Sequence, residues 1–164
     1  INIDLDFHTI DFFNFVRKRD ENINIAISDK EGEKDLYFFH NRSAINSLSA
    51  TRKEKAKEIR KIKTKTLNSV LENSKFKDEK INLISIDVEG HELEVVKSID
   101  LKKYAPEMIV IEFLDLRMKE IEFYNQNINL VLNSEVYEYM IKNDYYFVNW
   151  LHSDMVFVHK SIRD

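Results

Sequence analysis

The chain has 164 residues, 43% hydrophobic and 33% charged, with two Gly, one Pro and no Cys, which fits one soluble α/β-sized domain and excludes a disulfide-stapled scaffold or a zinc ribbon. No apolar run approaches the roughly 18–20 residues that span a bilayer, and no basic-then-apolar leader opens the sequence. The formal net charge of −4 and pI near 5.8 argue against a general nucleic-acid binder, which carries a large positive excess; the expectation is a cytoplasmic protein with no nucleic-acid or membrane partner.

Residues 1–5 alternate apolar and polar and predict a strand already under way at Ile1, so the start of the domain is expected to lie upstream. Asp6 or Thr9 can then cap a helix carrying Ile10, Phe12, Phe13 and Val16 on one side. Asn22 to Ile27 predicts a second strand, Ser28 to Gly32 supplies turn residues, and Leu36 to Phe39 predicts a hairpin-like return. Thr51-Arg52-Lys53-Glu54 has capping-box spacing and predicts a surface helix to Ile62, thinly apolar at Ala56, Ile59 and Ile62. A short helix over Thr66 to Leu71 leads to the β-branched strand Ile81 to Ile86, which ends on Asp87. Leu93, Val95, Val96 and Ile99 follow at helical spacing until Pro106 stops continuation. Met108 to Phe113 reads as the most buried strand, Ser134 caps a last helix, and Tyr145 to Trp150 pairs with Met155 to Val158 in a closing hairpin.

Strands alternating with helices predict a single α/β domain over 1–164, a mostly parallel sheet with helices on both faces and a C-terminal antiparallel hairpin. Ligands of such sheets sit beyond the carboxyl ends of the strands, which directs attention to Asp4, Ser28, Asp87 and Glu112.

The densest constellation is Asp87-Val88-Glu89-Gly90-His91-Glu92, three carboxylates and an imidazole at a strand-to-helix turn that holds one of the two glycines. Glycine lets the backbone turn sharply, and a carboxylate at the strand end can accept hydrogen bonds or take a proton. The plainer reading is that Glu89 and Glu92 favour the positive end of the next helix and His91 is solvated, and for Glu92 that reading is preferred. The basic stretch over 51–66 suits an anionic ligand or surface, but a solvated face with local ion pairs is the simpler account. Tyr145, Tyr146, Phe147 and Trp150 would suit stacking on a sugar, against core packing of the hairpin. His8, His40, His152 and His159 have no matching partners in the sequence.

Asn22 through Glu33, Thr64 through Leu67, Leu83 through Ser98 with Asp87-Val88-Glu89-Gly90-His91-Glu92 at its centre, Pro106, and Ile109-Val110-Ile111-Glu112 together resemble the FkbM family of S-adenosylmethionine-dependent methyltransferases. The resemblance covers nearly the whole chain. It implies a class I, Rossmann-like sheet whose first strand and glycine-rich cofactor turn do not occur in this sequence. The chain alone is therefore expected to leave a gap in the sheet and to bind cofactor poorly. The resemblance assigns cofactor binding to Asp4, for the ribose hydroxyls, and to Ala26 and Ser28 at the adenine edge. Asp6-Phe7-His8 departs from the proline-containing turn of the family pattern.

For the reaction, the resemblance implies methyl transfer to a hydroxyl of a sugar or other small metabolite. Such an in-line displacement asks the protein to hold the acceptor and relieve it of a proton. Asp87, with Glu89 and His91, is the expected catalytic group, and Asp87 with Glu112 the expected acceptor contact. A carboxylate needs a raised pKa, a metal or help from His91 to act as base toward an alcohol. Asp87, Glu89 and Glu112 could hold a divalent metal, but no full ligand set is visible and no metal is expected. A non-catalytic scaffold, a dinucleotide-binding domain and a metal-dependent hydrolase remain as alternatives.

Overall fold

A computed structural model describes residues 1–39, 46–113 and 127–163. The chain divides into two compact units: Ile1–Glu79 with Glu94–Ile99, and Lys80–Leu93 with Asp100–Asp164.

In the first unit, β1 (Asn2–Asp4) is followed by α1 (Phe7–Val16), β2 (Asn22–Asn24), β3 (Ala26–Ile27), β4 (Gly32–Phe38), a 3-10 turn (Ala50–Lys55), β5 (Glu58–Lys65) and α2 (Leu67–Asn73). Asp6 caps α1, its carboxylate accepting the His8 N–H. The helix buries Ile10 but leaves Phe12 and Val16 exposed along with Phe7 and Phe15. At ~3.6 residues per turn, Phe12 projects almost opposite Ile10, so the expected single apolar side is divided.

The strand expected over 22–27 breaks at Ile25, whose N–H donates to the Asp4 carbonyl at 3.2 Å. β2 pairs in parallel with β1, and β3 pairs in parallel with β5. The helix expected over 51–62 is corrected to a short 3-10 turn and then strand β5, antiparallel to β4 from Gly32↔Thr64 to Phe38↔Glu58. Its alternation decides this: Ile62 and buried Thr64 share a face with buried Leu36, while Lys61, Lys63 and Lys65 are exposed. A β4 partner outweighs the moderate helix propensity of Lys, Glu and Arg. Arg60 stacks over the Phe38 ring at 3.5 Å. The core of this unit comprises Ile10, Ala26, Leu36, Phe38, Leu67, Val70, Leu71, Val95, Val96 and Ile99.

In the second unit, β6 (Leu83–Ile86), α3 (Glu92–Lys97, whose last four residues belong to the first unit), α4 (Leu101–Tyr104), β7 (Met108–Glu112), α5 (Ile128–Leu132), α6 (Glu135–Lys142), β8 (Tyr145–Leu151), β9 (Asp154–His159) and α7 (Lys160–Arg163) follow in order. The sheet runs β6-β7-β9-β8, with β6 and β7 parallel and β9 antiparallel to both β7 and β8. The expected closing hairpin is present, turning at His152 with φ +56°, and its second strand lies beside β7. Among the described residues, β6 pairs with β7 alone.

Ile86, Leu101, Ile109, Ile111, Val131, Met140, Tyr145, Met155 and Phe157 form the core here. Alternation along β7 buries Ile109 and Ile111 completely, opposite Phe157 and Met155 of β9. The chain leaves α4 through left-handed Ala105 into buried Pro106, whose carbonyl accepts the Tyr145 hydroxyl at 2.8 Å. The architecture is mixed α/β. Its described strands form three small sheets with both parallel and antiparallel pairings, where one mostly parallel sheet was expected.

Candidate active site

The β6–β7 ladder runs in register from Leu83↔Met108 to Ile86↔Ile111. The next residues on the two strands are Asp87 and Glu112, so parallel pairing delivers two carboxyl groups side by side at one end of the sheet. Glu112 in turn faces Asp154 across the β7–β9 ladder. Glu89 joins the pair from the turn after β6: one oxygen each from Asp87, Glu89 and Glu112 lie within 4.8 Å of one another. Asp87 is exposed, and Glu89 and Glu112 are half-buried.

The turn that carries Glu89 is unusual. Glu89 has φ +56° and Gly90 φ +88°, left-handed conformations that glycine adopts freely and that cost a side-chain-bearing residue energy. Glu92 underlies the turn: its Oε1 accepts the N–H of Gly90 at 2.8 Å and of Val88 at 3.3 Å. Glu92 is buried, and burial raises its carboxyl pKa against the pull of these backbone hydrogen bonds. Glu92 does stand at the start of α3, as the sequence reading placed it, and in addition it is buried and bonded to the turn before it. His91 is also buried rather than solvated.

Glu112 is the most perturbed carboxyl of the cluster. Burial, reinforced by the negative charges of Asp87 and Glu89 and by a hydrogen bond to Asp87, raises its pKa to about 8. Its Oε2 is buried with no hydrogen-bond partner among the described residues. A proton held on Glu112 and donated to Asp87 accounts for the pairing, because two adjacent carboxylates do not both ionise readily. The raised pKa that alcohol activation calls for thus falls on Glu112.

Phe113, next along the chain, meets Trp150 edge-on with ring centroids 6.0 Å apart. The Trp150 indole N–H is buried and has no hydrogen-bond partner among the described residues. Of the other hairpin aromatics, Tyr145 is buried and Phe147 packs with Tyr137 and Phe157, as core packing requires. His159 pairs with Ser161 through Nδ1, and His40 lies outside the described residues.

The first unit holds Asp4, Ala26 and Ser28. Asp4 ends β1, half-buried, and its Oδ1 accepts the Asp6 N–H at 2.7 Å in an Asx-type turn. Burial raises its pKa, countered by backbone hydrogen bonds from Asp6 and Leu5. Helix capping falls to Asp6. Ala26 is buried in β3, and fully buried Ser28 donates its hydroxyl to Asp29 and its N–H to the Lys65 carbonyl.

Residues 5–145 match the family model described as the methyltransferase FkbM domain. The chain belongs to the FkbM methyltransferase family. The FkbM match takes in Ala26, Ser28, Asp87, Glu89, His91 and Glu112 and begins directly after Asp4. Methyl transfer is the chemistry this FkbM membership carries. No curated protein and no solved structure matches the chain. Among the described residues of this FkbM domain, no helix is long and apolar enough to cross a membrane.

Proposed function

We propose that this FkbM domain transfers a methyl group from S-adenosylmethionine to a hydroxyl of a sugar or other small metabolite. The observation that carries the reading is the Asp87–Glu112 pair, two carboxyl groups sharing a proton at a strand end, one with a pKa near neutrality. The family supplies the reaction class; the pair supplies a means of accepting a hydroxyl proton.

S-adenosylmethionine, when bound, supplies an electrophilic methyl on a sulfonium. The residues present fit it: Asp4 uses two backbone N–H groups to fix its carboxylate, and a carboxylate has lone pairs left for a ribose diol. Asp4 is proposed to take the ribose hydroxyls, and Ala26 and Ser28 to shape the adenine edge from within β3 and its exit. A Rossmann-like class I sheet is proposed on the support of the parallel β1–β2 and β6–β7 pairs and the late antiparallel hairpin.

At the acceptor, exposed Asp87 hydrogen-bonds the hydroxyl and orients its oxygen. Glu112 holds a proton in the resting pair; the form that has lost it draws in the hydroxyl proton, and a pKa of about 8 keeps that form within reach near neutral pH. Glu89 keeps the pair electrostatically strained toward holding a proton, and buried His91 supports the turn beneath.

A second reading has a specific observation behind it. The spacing of Asp87, Glu89 and Glu112 also suits a hard divalent cation, as a metal-dependent hydrolase would use.

Isothermal titration of S-adenosylhomocysteine into protein expressed from its whole reading frame tests the proposal, with Asp4→Ala and Asp87→Asn beside wild type. The expected result is binding that weakens by tenfold or more, about 1.4 kcal/mol, in Asp4→Ala and persists in Asp87→Asn and in EDTA. No binding by wild type overturns the methyltransferase reading, and Mg²⁺-dependent hydrolysis in its place would establish the second.

A further inference from the structure

We propose that Glu92 is a positioning residue: its buried carboxylate, by accepting the N–H groups of Val88 and Gly90, holds the turn that sets the Glu89 carboxylate beside Asp87 and Glu112. The function of the trio rests on the reading above, but the placement of Glu89 is a property of this chain alone.

Three observations converge. Glu89 and Gly90 both have positive φ, and the sharp turn they make brings the N–H groups of Val88 and Gly90 to one carboxylate. That carboxylate is Glu92, whose Oε1 accepts from Gly90 at 2.8 Å and from Val88 at 3.3 Å. Glu92 is buried, which limits the competition of water for those donors. The turn therefore has an internal anchor that compensates the positive φ of Glu89, a conformation a non-glycine residue keeps only when its surroundings impose it. The consequence is geometric: Glu89 arrives within 4.8 Å of both Asp87 and Glu112.

Removing the anchor should uncouple Glu89 from the pair, and the coupling is readable without cofactor or acceptor. Glutamate carboxyl carbons are labelled with ¹³C, and the titration midpoint of Glu112 is followed in wild type, Glu92→Gln and Glu92→Ala, each with and without Glu89→Gln. In wild type, Glu89→Gln is expected to lower the Glu112 midpoint by about one unit, the scale on which a like charge at ~4–6 Å acts. Glu92→Gln removes the Glu92 charge but keeps an acceptor oxygen, so the Glu89→Gln shift is expected to persist there. In Glu92→Ala it is expected to fall to less than half.

An undiminished shift in folded Glu92→Ala would overturn the proposal, as would a missing shift in wild type or equal loss in Glu92→Gln. Should Glu92→Ala fail to fold, Glu92→Asp withdraws the carboxylate by one methylene at constant charge and takes its place, with the same loss expected and the same persistence fatal. Failure of this experiment leaves cofactor binding untouched, and failure of cofactor binding leaves this coupling in place.

Discussion

Asp87 and Glu112 end neighbouring parallel strands and share a hydrogen bond between their carboxyl groups, with Glu112 holding the proton near neutral pH. Their proximity follows from ladder register: each directly follows one member of Ile86↔Ile111, the last of four pairs. A register slip of one residue would move Glu112 to the other face and dissolve the pair.

The first prediction concerns stability against pH. The folded pKa of Glu112, about 8, lies above the ordinary 4.5, so between these values the folded chain binds more protons than the unfolded chain. Stability therefore falls as pH rises from ~4.5 to ~8 through this group, and the group contributes nothing below both values. Glu112→Gln is expected to match wild type near pH 4.5 and to exceed it at pH 8.5. After discounting for partial exposure, a gain of about 1 kcal/mol is expected, or ~2–4 °C in Tm for a chain of this size. Thermal melts at the two pH values check it, and an equal effect at both would contradict the shifted pKa.

The second prediction is structural. Ser98 accepts the Leu67 N–H at 2.9 Å with its hydroxyl and the Asn68 N–H at 3.0 Å with its carbonyl, closing two open donors at the start of α2, while Thr66 accepts that of Ser69. Ser98→Ala leaves the buried Leu67 N–H without its acceptor. A loss of about 1–3 kcal/mol is expected in denaturant unfolding, with rapid hydrogen exchange appearing at Leu67 but not at Asn68.

What the sequence disclosed and what it concealed follow a physical division. Ser134 caps its helix, and Asp6, one of the two candidates with Thr9, caps α1, because caps are local; Thr66, read as the first residue of a short helix, is instead the cap of α2. The hairpin at 145–159 was legible from two β-rich runs around a polar turn. Asp87 and Glu112 stood out because each closes an apolar strand. β5 was hidden because its Lys, Arg and Glu residues suit a helix and its β4 partner is remote in sequence; the alternation Arg60, Ile62, Thr64 against Lys61, Lys63, Lys65 was the available signal. Glu92 was legible only in part: sequence spacing places it at a helix start, where α3 begins, but its hold on the turn depends on the left-handed Glu89 and Gly90 bringing donors back toward it.

The third prediction tests β5 against the helix its composition suggests. Lys63 is exposed and opposite Glu33, so Thr and Ala substitutions lose the same cross-strand charge pair and differ in backbone preference. In a helix Ala would be the better residue; in a strand Thr is. Lys63→Thr is expected to be more stable than Lys63→Ala by about 0.5–1 kcal/mol, measured by urea unfolding. The reverse order would argue for the helix.

The last prediction uses the single tryptophan of the chain. The Trp150 indole N–H is buried and has no hydrogen-bond partner among the described residues, a state that costs about 1–3 kcal/mol relative to a satisfied or absent donor. Trp150→Phe removes that donor while keeping an aromatic ring against Phe113, so relief of the unmet hydrogen bond offsets part of the lost apolar contact. Trp150→Ala has no such compensation and also forfeits the edge-on contact with Phe113, itself worth about 0.5–1.5 kcal/mol beyond buried area. Trp150→Phe is therefore expected to unfold within about 1 kcal/mol of wild type, and Trp150→Ala to lose at least about 2 kcal/mol. Equal losses in the two variants would mean that the indole N–H is satisfied in solution and that the polar group, not the ring, secures this end of β8.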